Sequence, residues 1–459
     1  MNKSVISEFA AALHGRLVTP EDSDYDSARS VWNGMIDRRP RMIAQCADTA
    51  DVVASVKFAR EHDLPMSVRG GGHGVAGKAV CDEGVLIDLS PMRAVKVDPK
   101  ARIARAEPGA TLADLDRETQ AHGLATTGGL VSETGIAGLT LGGGIGYLAR
   151  RFGLTLDNLV AADVVTADGR QVRASEKENA DLFWGLRGGG GNFGIVTTFE
   201  YRLHEVGPNV MVAQVFYPFD HAERVLNHYR DLMAKAPDEL ACYALMAHVP
   251  PAEPFPEEFH GRTSIALVAC HTGNAGEAQR LLNPLKELGK PILAMVGEMP
   301  YAQLQQSFDA GMPHGARYYW KAHYLDELSD DAIKRFISLS EPLPGELSLV
   351  GFEPLGGAIS RVDPSATAFA HRDAKFALGI WAGWTDPADD EKIKSWTRDF
   401  HKAFVPYSTG GVYVNYLDQD DDERVNAAFG DSYARLRDIK AKWDPENFFC
   451  LNQNIRPRK

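Results

Sequence analysis

Three clusters of glycine constrain this chain more than any other feature. They lie at residues 70–77, 135–146 and 185–194, with short strand-like runs between them. Successive glycines let backbone N–H groups converge on an anion, and let a ligand approach the main chain without meeting a Cβ. A fold with three such places in its first 205 residues is built around something that lies against its backbone.

The first cluster reads Arg69-Gly70-Gly71-Gly72-His73-Gly74, after the strand-like run 65–69. A diphosphate fits such a nest, and a neutral imidazole inside it can act as a nucleophile. A tight turn carrying a solvated histidine fits the same residues. Gly72, Gly77 and Lys78 have phosphate-loop spacing, but Ala79 lacks the hydroxyl that such a loop offers to magnesium. The second cluster holds Thr134, Gly135, Gly138, Gly142, Gly143, Gly144 and Gly146. Its Gly144-x-Gly146-x-x-Ala149, with Asp168 downstream, partly matches the dinucleotide fingerprint of Rossmann folds. The residues before it do not read as a hydrophobic strand. The third cluster ends in Gly194-Ile195-Val196 and precedes its strand, the reverse of a Rossmann loop. Close approach of backbone to ligand accounts for it better.

Together the clusters resemble the FAD-binding domain of the p-cresol methylhydroxylase and vanillyl-alcohol oxidase superfamily. Tyr413-Val414-Asn415-Tyr416 and Asp444-Pro445-Glu446-Asn447-Phe448 resemble the tail of berberine-bridge-enzyme-like oxidases. The resemblance implies an α+β fold: a two-lobed FAD-binding domain of the p-cresol methylhydroxylase type, and an antiparallel-sheet substrate domain backed by helices. Residues 1–205 would form the N-terminal part of the FAD-binding domain and 206–404 the substrate domain. Residues 405–459 would return to the FAD-binding domain. It also implies FAD joined by a single 8α-histidyl bond to His73. Many relatives add a cysteinyl bond; here Val131 stands at that place and none of the five cysteines is near, so no cysteinyl link is expected. This resembles singly linked bacterial members such as the 6-hydroxynicotine oxidases.

The implied reaction is oxidation of a CH–OH or CH–NH group by hydride transfer to flavin N5. The substrate would be a small sugar-, alkaloid- or polyketide-like molecule. Molecular oxygen is the expected acceptor, and a dehydrogenase using another acceptor is the alternative. Ile136 stands where, in this family, a small residue favours oxygen and a bulky one resembles the dehydrogenase form. Tyr416 matches the family's motif and is the first candidate base, provided that neighbours lower its pKa. Glu353, on the strand-like run 347–357, is the second. Tyr318, Tyr319, His323 and Trp381 are further pocket candidates. Tyr413 belongs to the cofactor set. Asn415, Asn452 and Gln453 offer both donor and acceptor to a flavin or ribose edge, and Asp157 and Asn158 could do the same or start a turn. The aromatic middle strands fit either a packed core or a sheet roofing a flat ring.

Composition closes off other classes. The formal charge of -13, with no basic run, argues against nucleic acid and anionic membranes. No apolar stretch reaches the roughly 18 residues of a membrane span. The five scattered cysteines form no CxxC, so neither a disulfide framework nor a metal site is expected. The first residues do not read as a signal peptide, so a cytoplasmic enzyme is expected. Composition carries no signal of oligomeric state.

Locally, the spacing predicts a helix over 49–60 capped by Thr49, and one over 111–122 with Thr111 as cap, Asp114 in the capping box and Gly123 as stop. A hairpin should turn at Asp168-Gly169. The tail should open with a strand over 410–417 and continue as a helix over 423–442.

Overall fold

The computed structural model describes residues 2–458. The N-terminal half holds two sheets. A four-stranded sheet runs Arg16–Val18, Met42–Gln45, Val85–Asp88, Met66–Arg69, with parallel pairing among its last three strands. A five-stranded antiparallel sheet runs Val95–Asp98, Ile103–Ala106, Ile195–Arg202, Leu159–Val165, Gln171–Ser175. The hairpin turns at Asp168-Gly169, where Gly169 has φ +77°. Thr111 caps the helix Leu112–Gln120 in a capping box with Asp114. The helix Thr49–Glu61 is capped one residue earlier than expected. The Asp48 carboxylate accepts from the N–H groups of Ala50 and Asp51, so Thr49 is the first helical residue.

The middle of the chain builds a seven-stranded sheet, antiparallel throughout. Its order is Leu293–Pro300, Asn209–Pro218, Thr263–His271, Leu240–His248, Leu349–Pro354, Phe376–Trp384, Arg317–Leu325. Strand alternation sends Val350, Phe352, Leu378 and Ile380 into a core shared with the helices Ala222–Met233 and Asp330–Leu339. The opposite face carries Leu245, Trp320 and Trp381 toward the N-terminal half.

The tail departs from its predicted form. Residues 410–417 make no strand. Tyr416 N–H bonds the Tyr413 carbonyl at 3.0 Å in a short 3-10 turn, Val414–Tyr416. The Tyr413 hydroxyl accepts from Gly144 N–H at 2.7 Å and pins that turn to the second glycine cluster. The following helix is broken at Gly430, where φ is +46°, into Val425–Phe429 and Tyr433–Trp443. Among the described residues no helix is long and apolar enough to cross a membrane.

Candidate active site

A cavity of about 390 Å³ lies between the glycine-rich loops of the N-terminal half, the seven-stranded sheet and the tail. One half of it is bare backbone. Gly70, Gly71, Gly72, His73 and Gly74 line it, with Thr134, Gly135 and Gly138 facing them. Gly194, Ile195 and Val196 close one side, and Tyr413, Asn415 and Asn452 another. The first two clusters touch backbone to backbone: a Cβ on Gly71 would lie 2.5 Å from the Gly135 Cα. At Gly74, Gly138 and Gly191 a Cβ would meet no atom within 4 Å and would project into the open space.

His73 sits in this half against Trp32. The rings are stacked at 4.2 Å, and Trp32 in turn stacks on Tyr318 at 3.7 Å. Trp32 is anchored by its indole N–H on the Met312 carbonyl at 3.0 Å. The neighbouring Asn33 amide bridges the carbonyls of Val75 and Tyr318 at 2.8 and 2.9 Å. Burial lowers the His73 pKa to about 4, and its Nε2 has no protein partner. A neutral imidazole with a free, buried nitrogen is the state a nucleophile needs.

Five of the expected cofactor residues do not line the cavity. The Arg69 guanidinium is held by the buried Asp88 carboxylate at 2.7 and 3.1 Å and by the Ser30 carbonyl at 2.9 Å, so it braces the loop from behind. Gly142, Gly143, Gly144 and Gly146 are packing glycines. A Cβ on Gly143 would lie 2.7 Å from the Tyr413 ring, and those on the others would strike Asn415, Thr155 and the Gly128 carbonyl. Gly144-x-Gly146 follows the short helix Ile136–Gly142 and not a strand, so no Rossmann unit is present there. Ile136 is buried in the core of the N-terminal half, while Ala137 and Gly138 reach the cavity.

The other half of the cavity belongs to the seven-stranded sheet and Tyr416. Glu353 is fully buried. Tyr416 donates to its Oε1 at 3.0 Å, and its Oε2 has no protein partner. Burial pushes the Glu353 carboxyl up to about 8, with the Tyr416 hydrogen bond opposing. Tyr416 moves the wrong way for a base: burial, then the neighbouring Glu353 charge, raise it well above the usual phenol value. Trp320 and Trp381 each stand edge-on to the Tyr416 ring at 5.7 Å.

Several other candidates have structural duties. The Tyr318 hydroxyl bonds the Pro313 carbonyl, and the Tyr319 hydroxyl bonds Asp420. His323 stacks on His401 and bonds its carbonyl. Asp157 pairs with Arg372 at 2.7 Å, and Asn158 bonds the carbonyls of Phe152 and Leu154.

The tail reaches the cavity through a clamp that sequence reasoning did not foresee. Lys440, fully buried, donates to Asp444 at 2.7 Å and to the carbonyls of Asn192 and Phe449. Asp444 also accepts from the N–H groups of Phe448 and Phe449 at 2.8 Å. This fixes the loop that carries Asn452 and Gln453. Asn452 bonds the carbonyls of Gly191 and Phe449, leaving its buried Oδ1 without a partner. Gln453 accepts from Lys78 at 3.0 Å and donates to the Leu417 carbonyl. Trp32 and Lys440 gave no local signal, whereas Lys78 and Asn192 lie beside glycine clusters already singled out.

The residues present fit a dinucleotide. A cradle whose Cβ positions would fill the cavity faces the His73 Nε2 and the Asn452 Oδ1, both buried atoms without protein partners. Comparison with known proteins agrees. Residues 40–175 match the FAD binding domain family, and residues 412–456 match the berberine and berberine-like family. An FAD-linked oxidoreductase of Dictyostelium discoideum is 32% identical, over 99% of this chain and 97% of its own. The solved structure of 6-hydroxy-D-nicotine oxidase from Arthrobacter nicotinovorans superposes with a TM-score of 0.87 at 27% identity, covering 97% of this chain and 98% of that one. A glucooligosaccharide oxidase from Acremonium strictum, whose FAD is described as 6-S-cysteinyl and 8α-N1-histidyl, gives 0.87 at 25% identity, covering 99% of each chain. The chain therefore belongs to the berberine-bridge-enzyme-like FAD-linked oxidoreductases, built on the p-cresol methylhydroxylase type of FAD-binding fold.

Proposed function

We propose that this enzyme holds FAD through one covalent bond between His73 and the 8α carbon of the flavin, and oxidises a CH–OH or CH–NH group of a small organic molecule. The supporting observation is the neutral His73 imidazole, half-buried with its Nε2 shielded and unpartnered, and stacked on Trp32 at the rim of a glycine cradle. Val131 at the cavity wall offers no thiol for a second bond. In this reading residues 1–205 and 405–459 form the cofactor lobe and 206–404 the substrate lobe. The location is cytoplasmic.

Bound FAD would supply the hydride acceptor. The chain's own work is to hold and orient, and to take a proton. Glu353 ionises far more easily than Tyr416, so the carboxylate is the proton acceptor and the phenol positions it. The free Oε2 is the atom to which an alcohol or amine N–H of the substrate donates. Trp320, Trp381 and Leu245 exclude water from that end.

Anaerobic mixing with alcohols and amines, followed by flavin absorbance, tests the reaction. Bleaching by a member of the panel is expected, and its loss in Glu353→Gln. Bleaching undiminished in that variant would remove the assigned base. Readmitting air tests the acceptor: reoxidation within seconds supports an oxidase, and reoxidation over minutes removes that label.

A further inference from the structure

We infer that the substrate is a flat, apolar, ring-bearing molecule offering one hydrogen-bond donor, an alcohol O–H or an amine N–H, and that sugars are excluded. The inference rests on the proposed flavoenzyme reading and narrows its substrate class.

Strand register lays out the floor of the substrate half. Trp320, Trp381 and Leu349 are cross-strand partners in one row. Two residues further along, on the same face, come Ala322, Gly379, Gly351 and Leu245. Two further still come Tyr324, Ala377 and Glu353. Successive rows on one face are about 6.8 Å apart. The middle row is therefore three small residues, Ala322, Gly379 and Gly351, with Leu245 at its end, between the indoles and the carboxyl.

That row is paved with apolar faces. A Cβ on Gly379 would coincide with the Trp381 indole, so the indole lies flat over this glycine. A Cβ on Gly351 would come within 2.6 Å of a Leu245 methyl, so Leu245 lies over that one. Tyr416 closes the side, nearly perpendicular to both indoles at 85° and 84°. The result is a slot with flat hydrophobic walls, which suits the faces of a ring.

Polar groups in the slot are few. Of its lining side chains, Trp320 Nε1 and Glu353 Oε2 are buried without protein partners, on residues 7% and 0% exposed, while the unpartnered hydroxyls of Tyr243 and Tyr324 belong to residues that do not line the cavity. The basic residues that line the cavity, His73 and Lys78, belong to the glycine half, and Lys78 is committed to Asp422 and Gln453. One donor to Glu353, and one acceptor for the indole N–H, satisfy the slot. A pyranose would bury several hydroxyls with nothing to receive them, each costing roughly tenfold or more in affinity.

The test uses the purified holoenzyme and tryptophan fluorescence, with 1-indanol, 1,2,3,4-tetrahydroisoquinoline, indane, cellobiose and xylobiose as probes. Saturable quenching is expected from the ring alcohol, the ring amine or both. Half-saturation should lie at least tenfold below indane, which lacks the donor, and a hundredfold below either disaccharide. Gly379→Ala, which displaces the Trp381 indole, should weaken the ring ligand at least tenfold while flavin content is unchanged. If that variant does not fold, Trp381→Leu carries the same expectation. Disaccharides that bind as tightly as the ring compounds, or quenching by no probe, would overturn the inference. Quenching does not require flavin, so a protein that purifies colourless yet discriminates these probes would sink the flavoenzyme reading and leave the slot assignment standing.

Discussion

Tyr416 donates its phenol proton to Oε1 of Glu353 across 3.0 Å, and so joins the C-terminal turn to a central strand of the seven-stranded sheet. The bond favours the ionised carboxylate inside a site whose burial opposes ionisation. Two variants separate the roles. Glu353→Gln should lower kcat/KM by about 100-fold or more, the usual contribution of a positioned base. Tyr416→Phe should lower it less, about tenfold, by removing a hydrogen bond to a charged group. It should also shift the acid limb of the pH profile to higher pH. An unshifted limb in Tyr416→Phe would deny the coupling.

Stability should carry the same signature. The folded-state Glu353 pKa of about 8 lies above the unfolded value of 4.5. Between those values the native state binds more protons than the unfolded state, so stability falls as pH rises through the window, and the loss is complete above pH 8. The slope from this group is at most about 1.4 kcal/mol per pH unit. Thermal unfolding from pH 5 to pH 9 should therefore be flatter in Glu353→Gln than in the parent. Parallel curves would mean that the carboxyl titrates normally.

The Trp32–His73 stack makes a different claim. Trp32 is 2% exposed and ties the first glycine loop to Met312 and Tyr318. Trp32→Ala should cost about 3–5 kcal/mol of stability by opening a core cavity. Trp32→Phe keeps a stacking ring and should retain most of the stability. In Trp32→Ala the fraction of chain that keeps flavin through denaturation should drop, and in Trp32→Phe it should largely recover. A fluorescent band of equal intensity in both variants would show that the stack does not orient His73.

Lys440 and Asp444 form a fully buried pair that clamps the tail. Lys440→Met leaves the Asp444 carboxylate without its cation, at a cost of about 3–5 kcal/mol. Because the clamp holds the loop carrying Asn452 and Gln453, protease sensitivity within residues 445–458 should rise in the same variant. An unchanged melting temperature and an unchanged digest would show the pair to be dispensable.

The glycine-lined half of the cavity was largely legible because glycine clusters report backbone approach, a local property. The capping box at Thr111 and the turn at Gly169 were legible for the same reason. Glycines also serve packing, and spacing cannot separate the two uses. Gly142, Gly143, Gly144 and Gly146 face Asn415, Tyr413, Thr155 and Gly128, partners distant in sequence for the most part. Arg69 stood among the expected cofactor residues, but Asp88, on the neighbouring strand, accounts for its charge. The predicted tail strand failed because Tyr413 and Tyr416, three residues apart, suit a 3-10 turn that presents both to one cavity. Burial raises both Glu353 and Tyr416 above their usual ranges, and burial is a property no sequence period reports.

The central claim is that His73 carries the flavin, and the intact mass of the denatured protein tests it most directly. The parent chain should exceed its polypeptide mass by one FAD, and His73→Ala should show the bare polypeptide. A parent that is catalytically competent at the bare mass, or an adduct that persists in His73→Ala, would contradict it.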